Sequence, residues 1–228
     1  MKRSELNAIM QENIDFLKAM NFNLPKFAYW TPDEWKTKGH EVDEIRDNML
    51  GWDITDYGLG RYDEIGLFLF TIRNGNQHMK DKYKKPYAEK LLISNENQLC
   101  PNHFHWSKME DIICRGGGNL LVQVWNSDKN EDLADTDVHV KIDGELRVLP
   151  AGSIVRLTPG ESITLTPGLY HKFWGEEGYG KVLIGEVSMC NDDNTDNRFY
   201  EPIGRFPSIE NDCAPLYLLC NEYPEAKE

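Results

Sequence analysis

Between about residue 61 and residue 190, glycine, proline and asparagine interrupt the chain at short intervals, and β-branched and aromatic residues fill the gaps. That texture constrains the fold more than any other feature, because each gap has the length of a strand and none carries a long helical pattern. Strands are expected at Ile65–Ile72, Leu91–Ser94, His103–Trp106, Leu120–Trp125, Val138–Ile142, Glu145–Val148, Ser153–Leu157, Ser162–Leu165, Tyr170–Trp174 and Lys181–Ser188. Asn74-Gly75 and Asp143-Gly144 read as tight hairpin turns, since both positions of such a turn need residues that tolerate positive φ. Many short strands without intervening helices predict an antiparallel β-sandwich or barrel.

The flanks differ. Leu6, Ile9, Met10, Leu17 and Met20 recur at helical spacings, with Ser4 as the expected N-cap. Thr31-Pro32-Asp33-Glu34 is a helix start: a capping hydroxyl, proline at the first helical position, then acids in the first turn. Val42, Ile45 and Met49 continue a helical face that Gly51 is placed to end. Beyond residue 190 come a polar run, scattered prolines and the short apolar piece Leu216–Cys220. With no repeat and no low-complexity linker, one globular unit is expected: a helical N-terminal extension over 1–60 packed on a β-barrel over 61–190, with a loop and tail over 191–228 completing it.

A formal charge of −13 over 228 residues argues against nucleic acid or an anionic membrane as partner, because both attract a basic face. No apolar run approaches the ~20 residues that span a bilayer. The N-terminus starts with basic residues, as a secretion signal does, but places Glu5, Asn7, Gln11, Glu12 and Asp15 where such a signal is apolar. Cysteines are odd in number and lack CxxC spacing, which fits free thiols in a reducing cytoplasm.

Chemistry concentrates in His103–Glu110, HFHWSKME. Residues two apart on a strand share a face, so His103 and His105 project together and Phe104 projects away. Glu110 lies past a bend at Ser107–Met109 and can fold back to add an oxygen. An HxH pair by itself is more often a solvated sheet face than a metal site; Glu110, and the turn at Arg115-Gly116-Gly117-Gly118, weigh toward the site. In LTPGESITLTPGLYHKFWG, turns at Pro159-Gly160 and Pro167-Gly168 set His171 at the entry to a strand. His40, His78 and His139 lack that context.

HFHWSKME followed by Gly117 resembles the first cupin motif, and Gly160 through His171 resembles the second. The second departs from the pattern: Pro167 and Gly168 are adjacent where one residue usually separates them, and Gly175 stands where asparagine is usual. Over most of its length the chain is similar to one branch of that superfamily, the D-lyxose ketol-isomerases, in its helical start, in HFHWSKMEDII with GGG after it, and in GEVSMCNDDNTDNRF. The resemblance implies a mainly β fold, a cupin-type antiparallel β-barrel (double-stranded β-helix or jelly roll) with N-terminal helical additions, commonly a homodimer. It implies aldose–ketose isomerisation of a free monosaccharide, D-lyxose to D-xylulose and D-mannose to D-fructose. It also implies one divalent metal ion, manganese (Mn2+) foremost, with Zn2+, Fe2+ or Co2+ accepted by the same donors, held by His103, His105, Glu110 and His171.

That reaction needs a base for the carbon-bound proton, a polarised carbonyl and a stabiliser of the enediol. With Glu110 committed to the ion, the base is another residue. Glu186 interrupts the apolar strand KVLIGEVS, and a buried carboxylate is costly unless paired or functional. It is either the base or half of an ion pair at the barrel rim, and the resemblance favours the base. Lys108 is a candidate proton carrier and Lys90 a candidate donor to sugar oxygens. Asp193 and Arg198 can close the barrel mouth and bind hydroxyls. Trp106 offers an apolar wall for a sugar ring, a role open also to Trp125 and Trp174. No Lys/Arg cluster of the kind that grips phosphate is present, which favours an unphosphorylated sugar. The competing readings are an iron dioxygenase with the same ligands, a sugar-phosphate isomerase and a non-catalytic sugar-binding cupin.

Overall fold

In the computed structural model, which describes residues 1–228, helices α1 (Arg3–Ala19), α2 (Pro32–Trp35) and α3 (Asp43–Asp47) precede the strands. These are β1 (Gly51–Thr55), β2 (Leu67–Arg73), β3 (Tyr87–Ser94), β4 (Cys100–Phe104), β5 (Glu110–Gly117), β6 (Leu120–Asn126), β7 (Val138–Ile142), β8 (Glu145–Leu149), β9 (Ser153–Leu157), β10 (Ser162–Leu165), β11 (Leu169–Gly175), β12 (Val182–Met189) and β13 (Arg198–Phe199). They form an eight-stranded sheet in the order β1-β2-β3-β12-β5-β10-β7-β8 and a five-stranded sheet in the order β13-β4-β11-β6-β9.

All the pairings are antiparallel, as the strand pattern predicts. The expected jelly roll is found as two sheets that face each other without closing into one barrel. No ladder joins the edge strands β1 and β8 to β13 and β9, so the structure is a double-sheet jelly roll. No helix is long and apolar enough to cross a membrane.

Two apolar layers explain the strand sequences. The first fills the space between the sheets and includes Leu67, Leu69, Leu92, Ile112, Val122, Val124 and Ile184. The second lies on the opposite face of the larger sheet, where Leu6, Met10, Ile14 and Leu17 of α1 pack on Trp52, Ile54, Phe68, Phe70, Leu91, Ile93 and Leu183. β1, β2 and β3 are therefore covered on both faces, which is why Leu67–Phe70 reads as an unbroken apolar run and not as an alternation.

Several local expectations change. Helix α1 begins at Arg3, not after a Ser4 cap. Its first N–H groups are taken by the C-terminal segment, Arg3 N donating to the Glu210 carbonyl at 2.8 Å and Ser4 N to Asp212 at 2.9 Å. At α2 the cap is as expected: Thr31 Oγ1 accepts from Glu34 N, and the Glu34 carboxylate accepts from Thr31 N. The helical face expected through Met49 stops at Asp47, and Gly51 opens β1 at φ +118, where a side chain would strike Tyr223 Oη. Asn74-Gly75 is not a tight turn. Neither residue has positive φ, residues 74–86 separate β2 from β3, and Asn74 bonds to the Asn48 and Asn191 carbonyls. Asp143-Gly144 is the expected hairpin, with φ of 51° and 84° between β7 and β8.

Gly117 ends β5 at φ +76, where a Cβ would lie 2.3 Å from the Lys181 carbonyl oxygen; Gly144 has a similar φ of +84 in open space. Gly117→Ala is expected to cost about 3 kcal/mol and Gly144→Ala about 1 kcal/mol, because only the first adds overpacking to left-handed backbone strain. Urea midpoints of the two variants measure the difference, and equal losses would refute the close approach.

Candidate active site

Strand register assembles a site between the sheets. On the smaller sheet, His171 of β11 lies directly opposite His103 of β4, and the two rings stand 4.2 Å apart between centroids. His105 follows the end of β4 on the same face, its ring 5.7 Å from that of His171. On the larger sheet, Glu186 of β12 sits opposite Lys90 of β3, and two residues further along β12, Ser188 sits opposite Glu110 of β5. The period of two brings Glu110, Glu186 and Lys90 to the inner face while Asp111 and Val187 turn outward.

The cavity between these groups is lined by the three histidines, Lys90, Lys108, Glu110, Glu186, Asp193 and Arg205, with Tyr57, Cys100 and Phe199 among its apolar walls. Of the ten residues singled out in the sequence, His103, His105, Glu110, His171, Glu186, Lys108, Lys90 and Asp193 are brought together here. Arg198 and Trp106 are not. Both reach Glu131 on the outside, Arg198 Nε at 3.1 Å and Trp106 Nε1 at 2.8 Å, and Trp106 is 47% exposed. β13 pairs Arg198 with Phe104, whose side chain points away from the cavity, so the guanidinium points away too.

Tautomers follow from hydrogen bonds. Nδ1 of His103, His105 and His171 faces the carbonyl oxygen of Pro101, Asp196 and Leu169 at 2.8, 2.8 and 3.0 Å. A carbonyl only accepts, so each Nδ1 carries the proton and each Nε2 presents a lone pair. The Nε2 atoms of His105 and His171 are buried and make no hydrogen bond, yet they stand 3.4 and 3.2 Å from Glu110 Oε1. Acceptors converging on an acceptor are repulsive unless a cation lies among them. The three histidines form a group with ligand atoms all within 4.8 Å of one another, and imidazole with one carboxylate is a donor set for a divalent transition metal.

Charge alternates around this centre. Lys108 Nζ donates to Glu186 Oε1 at 3.0 Å and Asn191 Oδ1 at 3.2 Å and forms an ion pair with Glu110 Oε2 at 2.6 Å, so three acceptors surround its three N–H groups. Lys90 Nζ lies 3.7 Å from Glu186 and 3.5 Å from Asp193. Asp193 Oδ2 accepts from Arg205 at 3.1 Å, and Arg205 also pairs with Asp53. Burial pushes the Lys108 ammonium toward neutrality, but Glu110, Glu186 and Asp193 outweigh it and hold the pKa above the usual lysine value. Burial opposes ionisation of Glu110, yet the Lys108 ammonium beside it holds it well below the carboxylate range. Burial and the neighbouring imidazoles push His103 well below the ordinary histidine value, leaving its ring neutral. Cys100, at the cavity floor, is pushed up to about 12 by burial. Arg205 and Asp53 carried no sequence signal: each is one charged residue in a segment whose position depends on long-range packing.

Asp193 sets a pH test. Burial raises its pKa, but Lys90, Arg205 and Lys108 outweigh burial and hold it well below the ordinary 3.8. A depressed carboxyl stabilises the fold above its unfolded value, and that stability is lost as pH falls through the folded value. Asp193→Asn is expected to cost about 2–4 kcal/mol at neutral pH by stranding its cations. The Tm gap to the parent protein should narrow as pH drops below about 4. A gap that stays constant down to the acid limit would refute the pairing.

Similarity to known proteins agrees with this geometry. The chain is 50% identical over 224 residues to a D-lyxose/D-mannose isomerase of Serratia proteamaculans, covering 98% of each. It is 48% identical to a D-lyxose/D-mannose isomerase of Escherichia coli O157:H7, again covering 98% of each. Its fold matches L-ribose isomerase of Cellulomonas parahominis, solved with L-psicose, with a TM-score of 0.61 at 16% identity over 92% of this chain and 98% of that one. A sequence profile described as D-lyxose isomerase matches residues 1–223, and the chain belongs to the D-lyxose isomerase family.

Proposed function

We propose that this protein interconverts aldoses and 2-ketoses as free sugars, D-lyxose with D-xylulose and D-mannose with D-fructose. The observation that carries the reading is the pair of unbonded, buried Nε2 atoms aimed at Glu110, beside a second buried carboxylate, Glu186. His103, His105, His171 and Glu110 would hold a divalent ion. When bound, that ion supplies Lewis-acid polarisation of the sugar carbonyl and offsets the negative charge of an enediolate.

Glu186 is the base in this reading. Its contacts to Lys108, Ser188 and Lys90 all run to Oε1. Oε2 is left to take the proton from C2 of the aldose and return it to C1, while the hydroxyl proton passes from O2 to O1. Lys108, with its donors filled, orients Glu110 and Glu186 and does not carry the proton. Lys90 holds its two carboxylates at long range and keeps donor capacity for sugar hydroxyls, with Asp193 as an acceptor beside it. Each cation of the cavity faces a carboxylate, which leaves no free cluster for a phosphate and supports an unphosphorylated substrate.

Manganese as the ion, a homodimer and a cytoplasmic location complete the proposal. Unpaired cysteines support a reducing compartment. Exposed Tyr87, Met109, Leu146, Val187 and Met189 on the larger sheet support association with a second copy.

Glu186→Gln is expected to lower ketose formation by about 10²–10⁴-fold while bound manganese, read by elemental analysis, stays at the parent level. Ketose formation that survives the change would reject Glu186 as the base. Chelator treatment should abolish ketose formation from every aldose tried, and added manganese should restore it.

A further inference from the structure

The polar run after β12 was expected to act through Asp193 and Arg198, but the residue most deeply engaged with the site is Asp196. It is 6% exposed and touches the machinery at three points. Its carbonyl oxygen accepts from His105 Nδ1 at 2.8 Å. Its carboxylate accepts from two successive backbone amides, Ser107 N to Oδ1 at 2.9 Å and Lys108 N to Oδ2 at 3.0 Å. Neither amide has a backbone acceptor. Asp196 is itself presented by a short turn in which its own N–H donates to the Asp192 carbonyl at 3.0 Å, while the Asp192 carboxylate accepts from Asn194 N, Thr195 N and Thr195 Oγ1.

We propose that Asp196 is the positioning residue that couples the two halves of the site. Through its carbonyl it fixes the tautomer and ring direction of His105, so that Nε2 faces Glu110. Through its carboxylate it fixes the bend between β4 and β5, and with it the direction in which Lys108 leaves the backbone to reach Glu110 and Glu186. The bend is otherwise open to solvent on one side, with Trp106 and Ser107 exposed, so few other contacts define it. Two amides on one ionised carboxylate are charge-assisted bonds, and the neutral amide of asparagine reproduces only one of them because its nitrogen is a donor. This inference rests on the reading of His105 as a metal donor and of Glu186 as the base.

The test compares the full-length parent protein with Asp196→Asn and Asp196→Glu. Manganese affinity is read by titration, and kcat and KM for D-lyxose are read at saturating manganese. Asp196→Asn keeps the backbone carbonyl that His105 Nδ1 meets, so manganese affinity should stay within a few-fold of the parent value. At saturating metal its kcat should fall by about 10-fold or more with KM near the parent value, because Lys108 no longer aligns the base. Asp196→Glu, which keeps the charge, should recover part of the lost kcat. A folded Asp196→Asn with parental kcat at saturating manganese overturns the role of Asp196 and leaves the isomerase reading standing. A parent protein that neither binds manganese nor forms ketose overturns that reading, and this inference with it. If neither variant folds, amide hydrogen exchange on the parent protein decides. Slow exchange at Ser107 and Lys108 supports the clamp, and exchange as fast as in an exposed turn overturns it.

Discussion

The Lys108 ammonium, held between the carboxylates of Glu110 and Glu186, is the contact on which the rest of the site depends. Two carboxylates this close, both out of water, repel by roughly 3 kcal/mol at an effective dielectric of about 20 and a separation near 5 Å, and each also suffers from burial. A single ammonium between them turns that repulsion into attraction on both sides. One carboxylate can then face imidazole lone pairs and the other can face a substrate carbon. The same logic repeats outward through Lys90, Asp193, Arg205 and Asp53, so that each charge in this chain of contacts has an opposite neighbour. Removing one member leaves the next uncompensated, which is why such chains are more sensitive to a missing partner than their net contribution to stability suggests.

Sheet register delivers these groups, and register was partly legible. The HxH alternation is visible in the sequence because a strand period of two makes it a statement about one face. His171 is visible because two proline-glycine turns isolate the strand that carries it. Glu186 is visible because a charge inside VLIGEV conflicts with its apolar surroundings. What a single strand cannot reveal is its partner. That His171 lies opposite His103, and Glu186 opposite Lys90, are pairings between residues 68 and 96 positions apart. Arg205, Asp53 and Asp196 were illegible for the same reason: their roles exist only after loops far apart in sequence have met. Trp106 and Arg198 show the opposite error, since sitting in a promising motif placed them near the site without turning them toward it.

The jelly roll leaves its two sheets unclosed, and that has a physical consequence. Open sheet edges must be covered or shielded. At β1 the C-terminal segment does so, Cys220 N donating to the Trp52 carbonyl at 2.8 Å, while α1 lies across the strands beside it. The helix, read correctly as amphipathic, packs on the face opposite the cavity, against Leu91 and Ile93 of the strand that also carries Lys90. That strand is clamped from behind by apolar contact and from the front by ion pairs. A side chain on so supported an element holds its direction, which reactions sensitive to sub-ångström placement require.

Kinship and fold carry different information here. The jelly-roll scaffold is shared with L-ribose isomerase at only 16% identity, and a scaffold by itself does not choose a substrate. In this protein the groups suited to that choice come from one segment. Asp193 meets Lys90, Arg205 meets Asp193 and Asp53, and Asp196 meets His105, Ser107 and Lys108. The segment after β12 is thus tied at once to the cavity wall, to β1 and to the bend between β4 and β5. Such a segment is a built wall of the cavity and not a free lid. In the proposed reading Asp193 faces the sugar hydroxyls and Asp196 aligns Lys108, each through its own contacts. The two positions remain coupled, because the charge of Asp193 also acts on the Lys108 ammonium whose backbone N–H meets Asp196.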